Sequence, residues 1–333
     1  MEERYIRIVE AGSSTLPRST NSSCYDACYN RFMPNSSRST NVLSIRQRFN
    51  RITFLLVIIV VFVVGWLLWT KIYESPSNVF WGMISNNLAT SSFVNDFNQS
   101  ASGTSLSEEI QVNTNSDVAD AFSIVKQAGS TVKTEEINTP STDYVRYTSI
   151  VTRRKSLSGK PLNFQSVIGV WGKALNNPSS SADQLFSQAI LGIVPIGNVP
   201  AAQRQNLLQF AKKQDVYTVN FGKVVHQTNR GRLDYVYSVA VRPQAYIELL
   251  KNFAKDIGLS GLNSLNPQSY SNLPASTLSI TVDASSRSLV SVSYPGNVQK
   301  ENYSGYGIET LPLALPTDTI SQSSLQNRLR AIK

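Results

Sequence analysis

The stretch ITFLLVIIVVFVVGWLLW, residues 52–69, decides how the chain is organised, because its eighteen residues include no charged side chain. At about 1.5 Å per residue, a helix of this length spans about 27 Å, close to the hydrocarbon thickness of a bilayer. Trp66, Trp69 and Tyr73 gather at its C-terminal end, as aromatic residues do at a membrane interface. The sequence therefore predicts a single transmembrane helix over residues 52–73.

The charges that flank this segment predict its orientation. Arg46, Arg48 and Arg51 precede it, whereas only Lys71, partly offset by Glu74, follows closely. Positive residues stay on the cytoplasmic side, so we expect the N-terminus in the cytoplasm and the larger C-terminal part outside the cell membrane.

A cleaved signal peptide is the alternative interpretation of the same segment. Its apolar region would be shorter, would follow a brief basic start and would end in a small-residue cleavage site. Here about fifty residues precede the segment, and the sequence TKIYESPS after it has no such site. These features favour an uncleaved signal anchor.

Residues 1–51 have the composition of a disordered, basic cytoplasmic arm. They contain eight arginines and no lysine, are rich in Ser, Thr and Asn, and show no periodic apolar face. Such an arm is expected to contact anionic membrane lipids. Cys24 and Cys28 lie here and are the only cysteines of the chain. Palmitoylation, reactive thiols and two incidental thiols remain open for them, and a zinc site is not predicted.

The rest of the chain predicts an α+β fold, in which a curved antiparallel sheet of about ten strands wraps around helices or is covered by them. The domain is expected over residues 78–316. A polar tail over residues 317–333 is interpreted as a docked helix, a membrane-surface helix or a frayed end. Predicted strands cover 106–112, 118–125, 130–137, 144–151, 163–171, 216–221, 233–241, 278–283, 288–294 and 303–310, and predicted helices cover 78–88, 182–191, 201–213 and 243–257.

The second half of the chain carries a recognisable order of elements. The strand LDYVYSVAV (233–241) precedes the helix PQAYIELLKNFAKDIG (243–258). The hairpin STLSITVDASSRSLVSVSYPG (276–296) and the segment ENYSGYGIETLPLALP (301–316) follow. This order resembles the half-barrel lipoprotein-carrier superfamily that includes LolA, LppX and LprG. The matching motif residues are Ile280, Val282, Asp283, Leu289 and the segment from Tyr303 to Pro316.

The resemblance extends over residues 78–316 and is best over 233–316. It implies a curved antiparallel sheet around helices, with a concavity that accepts acyl chains. The chain departs from those carriers in its anchor, because a transmembrane helix replaces a lipidated cysteine. We therefore expect capture of a lipid or other apolar ligand near the membrane, and not transport over a long distance.

The segment GIVPIGNVP, residues 192–200, joins two predicted helices and is the candidate ligand-binding element. It is interpreted either as an apolar lid over a cavity or as a buried connection packed on the sheet. Aromatic residues of the next strand and helix are candidates to line the same cavity. The predicted ligand-binding residues are Ile193, Val194, Ile196, Val199, Tyr235, Tyr237, Tyr246 and Phe253.

Motifs for catalysis are not found in the sequence. His226 is the only histidine, and no G-x-S-x-G or phosphate-binding glycine motif occurs. Glu108-Glu109 and Glu135-Glu136 are neighbours in strands and point to opposite faces, so we interpret them as solvated charges and not as catalytic dyads. No catalytic residue, cofactor or metal site is predicted.

Two functions are compatible with these observations. The first is a non-enzymatic, membrane-anchored module that binds a lipid or other apolar ligand at the outer surface of the membrane. The alternative is a structural or interaction subunit of a cell-envelope complex, with protein partners. A nucleic-acid partner is not expected, because the net charge of +9 is spread along the chain without interleaved aromatic residues.

Overall fold

The computed structural model describes residues 56–69, 73–101, 103–176, 185–229, 231–259, 261–297, 299–308 and 314–332. The chain divides into two compact units, Met1–Val60 and Val61–Lys333. The first contributes the helical residues 56–60, and the second begins with helix α1 over residues 61–68. Among the described residues, no helix is both long and apolar enough to span a bilayer.

Several predictions fall on residues outside these ranges. The predicted arm, residues 1–51, lies there entirely, as do residues 52–55 and 70–72 of the predicted transmembrane segment. The disordered arm, its thiols and the transmembrane helix over residues 52–73 therefore stay predictions.

Helix α2 (Pro76–Asn87) follows α1 after a short connection. Its first residue is proline, whose fixed φ suits a helix start, and the Oγ atom of Ser75 accepts a hydrogen bond from the Asn78 backbone nitrogen at 3.4 Å. Its apolar side chains recur with helical spacing, and Val79, Phe80, Met83 and Ile84 are buried. The helix is thus fixed by one buried stripe.

Thirteen strands among the described residues form one sheet, which is antiparallel except where β13 pairs with β6. Its order is β13-β6-β5-β4-β3-β2-β1-β12-β11-β10-β9-β7, and β8 pairs with β9 beside β7. The strands are β1 (Ser92–Ala101), β2 (Thr104–Asn113), β3 (Val118–Gln127), β4 (Ser130–Asn138), β5 (Thr142–Val151), β6 (Trp171–Leu175), β7 (Tyr217–Val219), β8 (Val225–Asn229), β9 (Arg232–Val241), β10 (Ser276–Asp283), β11 (Leu289–Ser293), β12 (Gln299–Ser304) and β13 (Thr319–Ser321).

The pairing of β1 with β12 joins the two ends of the fold. Strands β1 to β6 form a meander, and β9 to β12 form a second antiparallel group. Residues Val94 to Gln99 of β1 pair with Ser304 to Gln299 of β12, so the two groups become one continuous sheet. The α+β class and the mainly antiparallel sheet are confirmed.

The helices bury one face of this sheet. Helices α3 (Leu185–Ile190), α4 (Ala201–Lys213) and α5 (Pro243–Asp256) join α2 in a core with alternate residues of β9 to β11. Tyr237 pairs with Ile280, and Ile280 with Val292, so all three lie in one row that faces the helices. We call this side of the sheet the inner face.

The structure differs from the sequence prediction at two places in the first half of the sheet. Strand β1 was not predicted, because SFVNDFNQSA alternates only weakly and ends in polar residues. The predicted strand over residues 163–171 is wrong: residues 165–167 form a turn, Ile168 makes only an isolated bridge to Tyr147, and β6 begins at Trp171. Within the apolar run NFQSVIGVW, Val167 is buried in that turn, and the backbone nitrogen of Gly169 donates to the Tyr147 carbonyl oxygen at 2.9 Å.

The C-terminal tail is docked. Helix α6 (Gln322–Arg330) follows β13 and places the buried Leu325 against Gly172 of β6, where a Cβ atom on the glycine would lie 2.9 Å from Leu325 Cδ2. Of the three interpretations of this tail, the docked helix is therefore the one observed.

Candidate functional site

A cavity of about 360 Å³ lies between helix α3 and the inner face of strands β1 to β4 and β12. Its apolar wall is formed by Phe97, Leu106, Ile110, Ala119, Ala121 and Ala189. Its polar wall is formed by Asn95, Glu108, Asn138, Gln188, Gln299, Glu301 and Tyr303, and Gly192 completes the lining.

Strand register explains why the cavity opens at this point of the sheet. Asn95 of β1 pairs with Ile110 of β2, which pairs with Ala121 of β3. In the next row, Val112 pairs with Ala119. The side chains of β3 are therefore the smallest in both rows, and they leave space that the larger residues of neighbouring strands do not fill.

Helix α3 closes the cavity on the side opposite the sheet. Phe186 and Ile190 of this helix are buried in the core, and Gln188 and Ala189 line the cavity between them. The chain leaves α3 through Gly192, where a Cβ atom would lie 3.4 Å from the Tyr303 hydroxyl oxygen. A residue without a side chain thus allows the connection to approach the cavity wall.

Glu301 is a buried carboxylate at the β12 side of the cavity. It accepts hydrogen bonds from the Tyr294 hydroxyl at 3.1 Å, from Gln299 Nε2 at 3.1 Å and from the Tyr303 hydroxyl. Burial, followed by the nearby carboxylate of Glu301, raises the pKa of Tyr303 well above its ordinary value. Tyr303 therefore remains a hydrogen-bond donor to Glu301.

Three further carboxyl groups extend from the cavity along the inner face. Burial raises the pKa of Glu108 above its ordinary value. Burial and the nearby carboxylates of Glu108 and Asp143 raise the pKa of Glu136 to about 7. Burial also raises the pKa of Asp143, against the opposing effect of a hydrogen bond from Asn176. This part of the inner face is consequently acidic and poorly solvated.

The two pairs of adjacent glutamates are divided between the faces of the sheet. Glu108 and Glu136 lie on the inner face, in neighbouring rows, whereas Glu109 and Glu135 both align with Phe122 on the outer face. The prediction that the two glutamates of each pair point to opposite faces is confirmed. The prediction that all four are solvated is wrong. Glu135 is buried and bonds to Arg146 on the outer face, and Glu108 and Glu136 are partly buried.

The segment of residues 192–200 is a packed connection in this structure. Val194, Ile196 and Val199 are buried in the main core. The Tyr217 hydroxyl donates to the Ile193 carbonyl oxygen at 2.8 Å, and the Tyr246 hydroxyl donates to the Gly192 carbonyl oxygen at 2.8 Å. These contacts match the buried-connection interpretation of the segment and not the lid.

The eight predicted ligand-binding residues lie together, but in the core and away from the cavity lining. Tyr235, Tyr237 and Phe253 are buried, and Ile193 and Tyr246 are partly buried against the same core as Val194, Ile196 and Val199. None of the eight is among the residues that line the cavity described above. Ligand binding by these residues stays a prediction.

Two of these tyrosines bind the segment that enters helix α2. The Tyr235 hydroxyl donates to the Glu74 carbonyl oxygen at 3.0 Å, and the Tyr237 hydroxyl donates to the Pro76 carbonyl oxygen at 2.9 Å. His226, on the exposed strand β8, stacks on the Tyr235 ring with 4.4 Å between ring centroids. The histidine thus covers one end of this tyrosine pair.

The sequence does not predict the cavity residues, because they are spread over five strands and helix α3. A partial signal exists in the alternation of Glu108 with Leu106 and Ile110, which places a carboxylate within an apolar stripe. The sequence has no comparable marker for Asn95, which lies in the unpredicted strand β1. No protein-family model matches this chain, and no curated protein matches it at a significant level.

Proposed function

We propose that this chain is a membrane-anchored, extracytoplasmic binding module whose cavity holds a lipid or another largely apolar ligand. The observation that carries the proposal is the cavity of about 360 Å³ between α3 and the inner face. Sites for small molecules are concave, mostly apolar and contain a few converging polar groups. This cavity is concave and has an apolar wall of six side chains, but its seven polar side chains are more numerous than in most such sites: two carboxylates, two asparagines, two glutamines and a tyrosine.

The topology supports the resemblance to half-barrel carriers. One continuous, mainly antiparallel sheet carries helices α2 to α5 on its inner face, and the cavity lies between one of those helices and the sheet. In the carriers that the sequence resembles, the concave side of the sheet accepts acyl chains. The position of the cavity is therefore consistent with binding of an acyl chain between the sheet and its helices.

The apolar side chains before the domain support anchoring in a membrane. Among residues 56–69, Phe62 and Trp66 have exposed fractions of 76% and 70%, and their apolar neighbours are also exposed. A contiguous apolar surface of this kind is unfavourable in water, and a bilayer removes that cost. With the arginines before the segment, this supports an anchor whose C-terminal domain lies outside the cell membrane.

Photolabelling of the full chain tests the proposal. The chain is reconstituted in phosphatidylcholine nanodiscs and irradiated with an uncharged dodecanol that carries a diazirine on its alkyl chain. We expect labels on peptides from β1 to β3 and α3. Ala121→Leu fills the cavity and should reduce that label several-fold, because Ala121 lines it. Ala201→Leu is the matched control, since Ala201 is exposed at the start of α4.

The outcomes separate the two functions considered. Label confined to residues 52–73 and unchanged by Ala121→Leu would contradict ligand binding in the cavity. That result would favour the alternative, an interaction subunit of an envelope complex. Loss of label in Ala121→Leu alone supports the binding module.

A further inference from the structure

Two buried amide oxygens in the cavity wall have no hydrogen-bond partner. Asn95 and Asn138 have exposed fractions of 7% and 1%, and both line the cavity. The Oδ1 atom of each accepts no hydrogen bond. A buried acceptor without a donor is unfavourable, so a ligand that brings a donor to one of these atoms gains an interaction that the protein leaves unmade.

The carboxyl groups near these asparagines also favour a ligand that carries hydrogen-bond donors and a positive charge. Glu108 lines the cavity, and Glu136 lies in one row with Asn95, Ile110 and Ala121. Burial disfavours the charged forms of both groups, and repulsion from Glu108 adds to this effect for Glu136. A positive charge placed near these carboxylates would offset the cost of burying them and the repulsion between them.

The described part of the chain brings no positively charged side chain to the cavity lining. None of the described residues that line it is Lys, Arg or His. On the outer face the situation is different, because Arg146 pairs with Glu135. The net charge of the chain, +9, would by itself favour anionic ligands. The cavity is nevertheless acidic, and so its own lining is the better guide to the charge of the ligand.

We propose that the cavity binds an alkylammonium: a primary ammonium group carried on an aliphatic chain. The Glu108 carboxylate on β2 matches the charge of the ammonium, and the Asn95 oxygen on the neighbouring strand β1 can accept one of its three N–H donors. The aliphatic chain packs against the apolar wall formed by Phe97, Leu106 and Ile110. This inference rests on the proposed function, because it assigns a ligand class to the same cavity.

Competition against the uncharged photoprobe tests the ligand class in the full chain. The competitors are octylamine, octyltrimethylammonium, octanol and octanoate, which share a chain length and differ only in the head. We expect octylamine to compete about ten-fold better than octanol and octanoate. Octyltrimethylammonium should fall between, because it carries the charge but has no N–H donor.

Glu108→Gln supplies the decisive variant, and Glu109→Gln is its matched control. The two residues are neighbours on β2, but only Glu108 lines the cavity. We expect Glu108→Gln to reduce the advantage of octylamine over octanol about ten-fold, and Glu109→Gln to preserve it. Circular dichroism and the melting temperature report whether each variant is folded, independently of binding in the cavity.

The source of the ammonium is distinguished by a second arm. Nanodiscs doped with lysyl-phosphatidylglycerol present the group on a membrane lipid, whereas octylamine presents it in solution. Competition by the doped lipid supports a lipid source, and competition by octylamine alone supports a soluble amine.

Failure of this inference is separable from failure of the proposed function. If octanoate competes as well as octylamine while Ala121→Leu still reduces labelling several-fold, ammonium selectivity is wrong and apolar binding stands. If neither competitor nor Ala121→Leu changes the labelling, both proposals are wrong.

Discussion

The guanidinium of Arg287 lies over the ring of Tyr73, with 3.9 Å between its carbon and the ring centroid. Its Nη2 atom also donates to the Tyr73 carbonyl oxygen at 3.0 Å. Arg287 lies between β10 and β11, whereas Tyr73 precedes helix α2. One side chain therefore joins the sheet to the segment that follows α1, next to the two carbonyl oxygens held by Tyr235 and Tyr237.

We expect Arg287→Ala to lower the free energy of unfolding by about 1–2 kcal/mol, because it removes the cation–π contact and the hydrogen bond together. Arg287→Lys keeps the charge but not the planar group and should recover less than half of the loss. Chemical denaturation of the full chain measures both, and Arg328→Ala on the exposed side of α6 is the control. Equal stability of Arg287→Ala and this control would contradict the assignment.

A second prediction concerns the Tyr237 hydroxyl. Tyr237→Phe retains the buried ring but leaves the Pro76 carbonyl oxygen without its 2.9 Å donor. We expect a loss of about 1 kcal/mol and faster amide exchange at the start of α2. Hydrogen exchange read by mass spectrometry locates the effect. Unchanged exchange over residues 76–80 would show that this bond does not hold the helix start.

The pKa of Glu136 predicts a dependence of stability on pH. Because its folded-state pKa of about 7 exceeds the ordinary value of 4.5, the folded state binds this proton more tightly than the unfolded state. The contribution of this proton to the stability of the folded state is therefore complete below pH 4.5 and is lost as the pH rises through about 7. Glu108, Asp143 and Tyr147 are the titratable neighbours that face Glu136.

Glu136→Gln removes this dependence. We expect the variant to be more stable than the parent by about 1–2 kcal/mol at pH 8 and unchanged at pH 4. Melting temperatures at pH 4, 6 and 8 measure the difference, with Glu109→Gln on the outer face as control. A difference that is the same at all three values would be inconsistent with titration of Glu136.

The docked C-terminal helix gives a fourth prediction. A Cβ atom on Gly172 would lie 2.9 Å from Leu325 Cδ2 and 3.3 Å from the Gln322 Cα atom. We therefore expect Gly172→Ala to displace α6 and Leu325→Ala to weaken its contact with β6. Both should speed trypsin cleavage at Arg328 several-fold, whereas Gln326→Ala on the exposed side should not. Resistance of both variants would mean that Leu325 does not anchor the helix.

The elements that the sequence predicts best are those whose pattern is local. Helix α4 was predicted over residues 201–213, where the structure has it, and α5 was correct to within one residue at its C-terminal end. Each has an apolar stripe with helical spacing and a proline at or just before its start. Strands β3 to β5 were likewise found from alternation of apolar and polar residues.

Strand β1 could not be predicted in the same way. Its inner face carries Phe93, Asn95 and Phe97, and the polar Asn95 lies opposite Ile110 of β2 and Tyr303 of β12. Those partners come from β2 and from β12, about two hundred residues away in the chain. Local alternation gives no information on a pairing over that distance.

The glutamate pairs show where local information ends. The two-residue period of a strand determined, from the sequence alone, that Glu108 and Glu109 point to opposite faces, and likewise Glu135 and Glu136. Which glutamate of one pair shares a face with which of the other was decided by the registers of β2 with β3 and β3 with β4. The period is a property of the backbone, but register depends on side chains packed across strands, and so only the tertiary structure places Glu108 at the cavity and Glu136 in a neighbouring row of the same face.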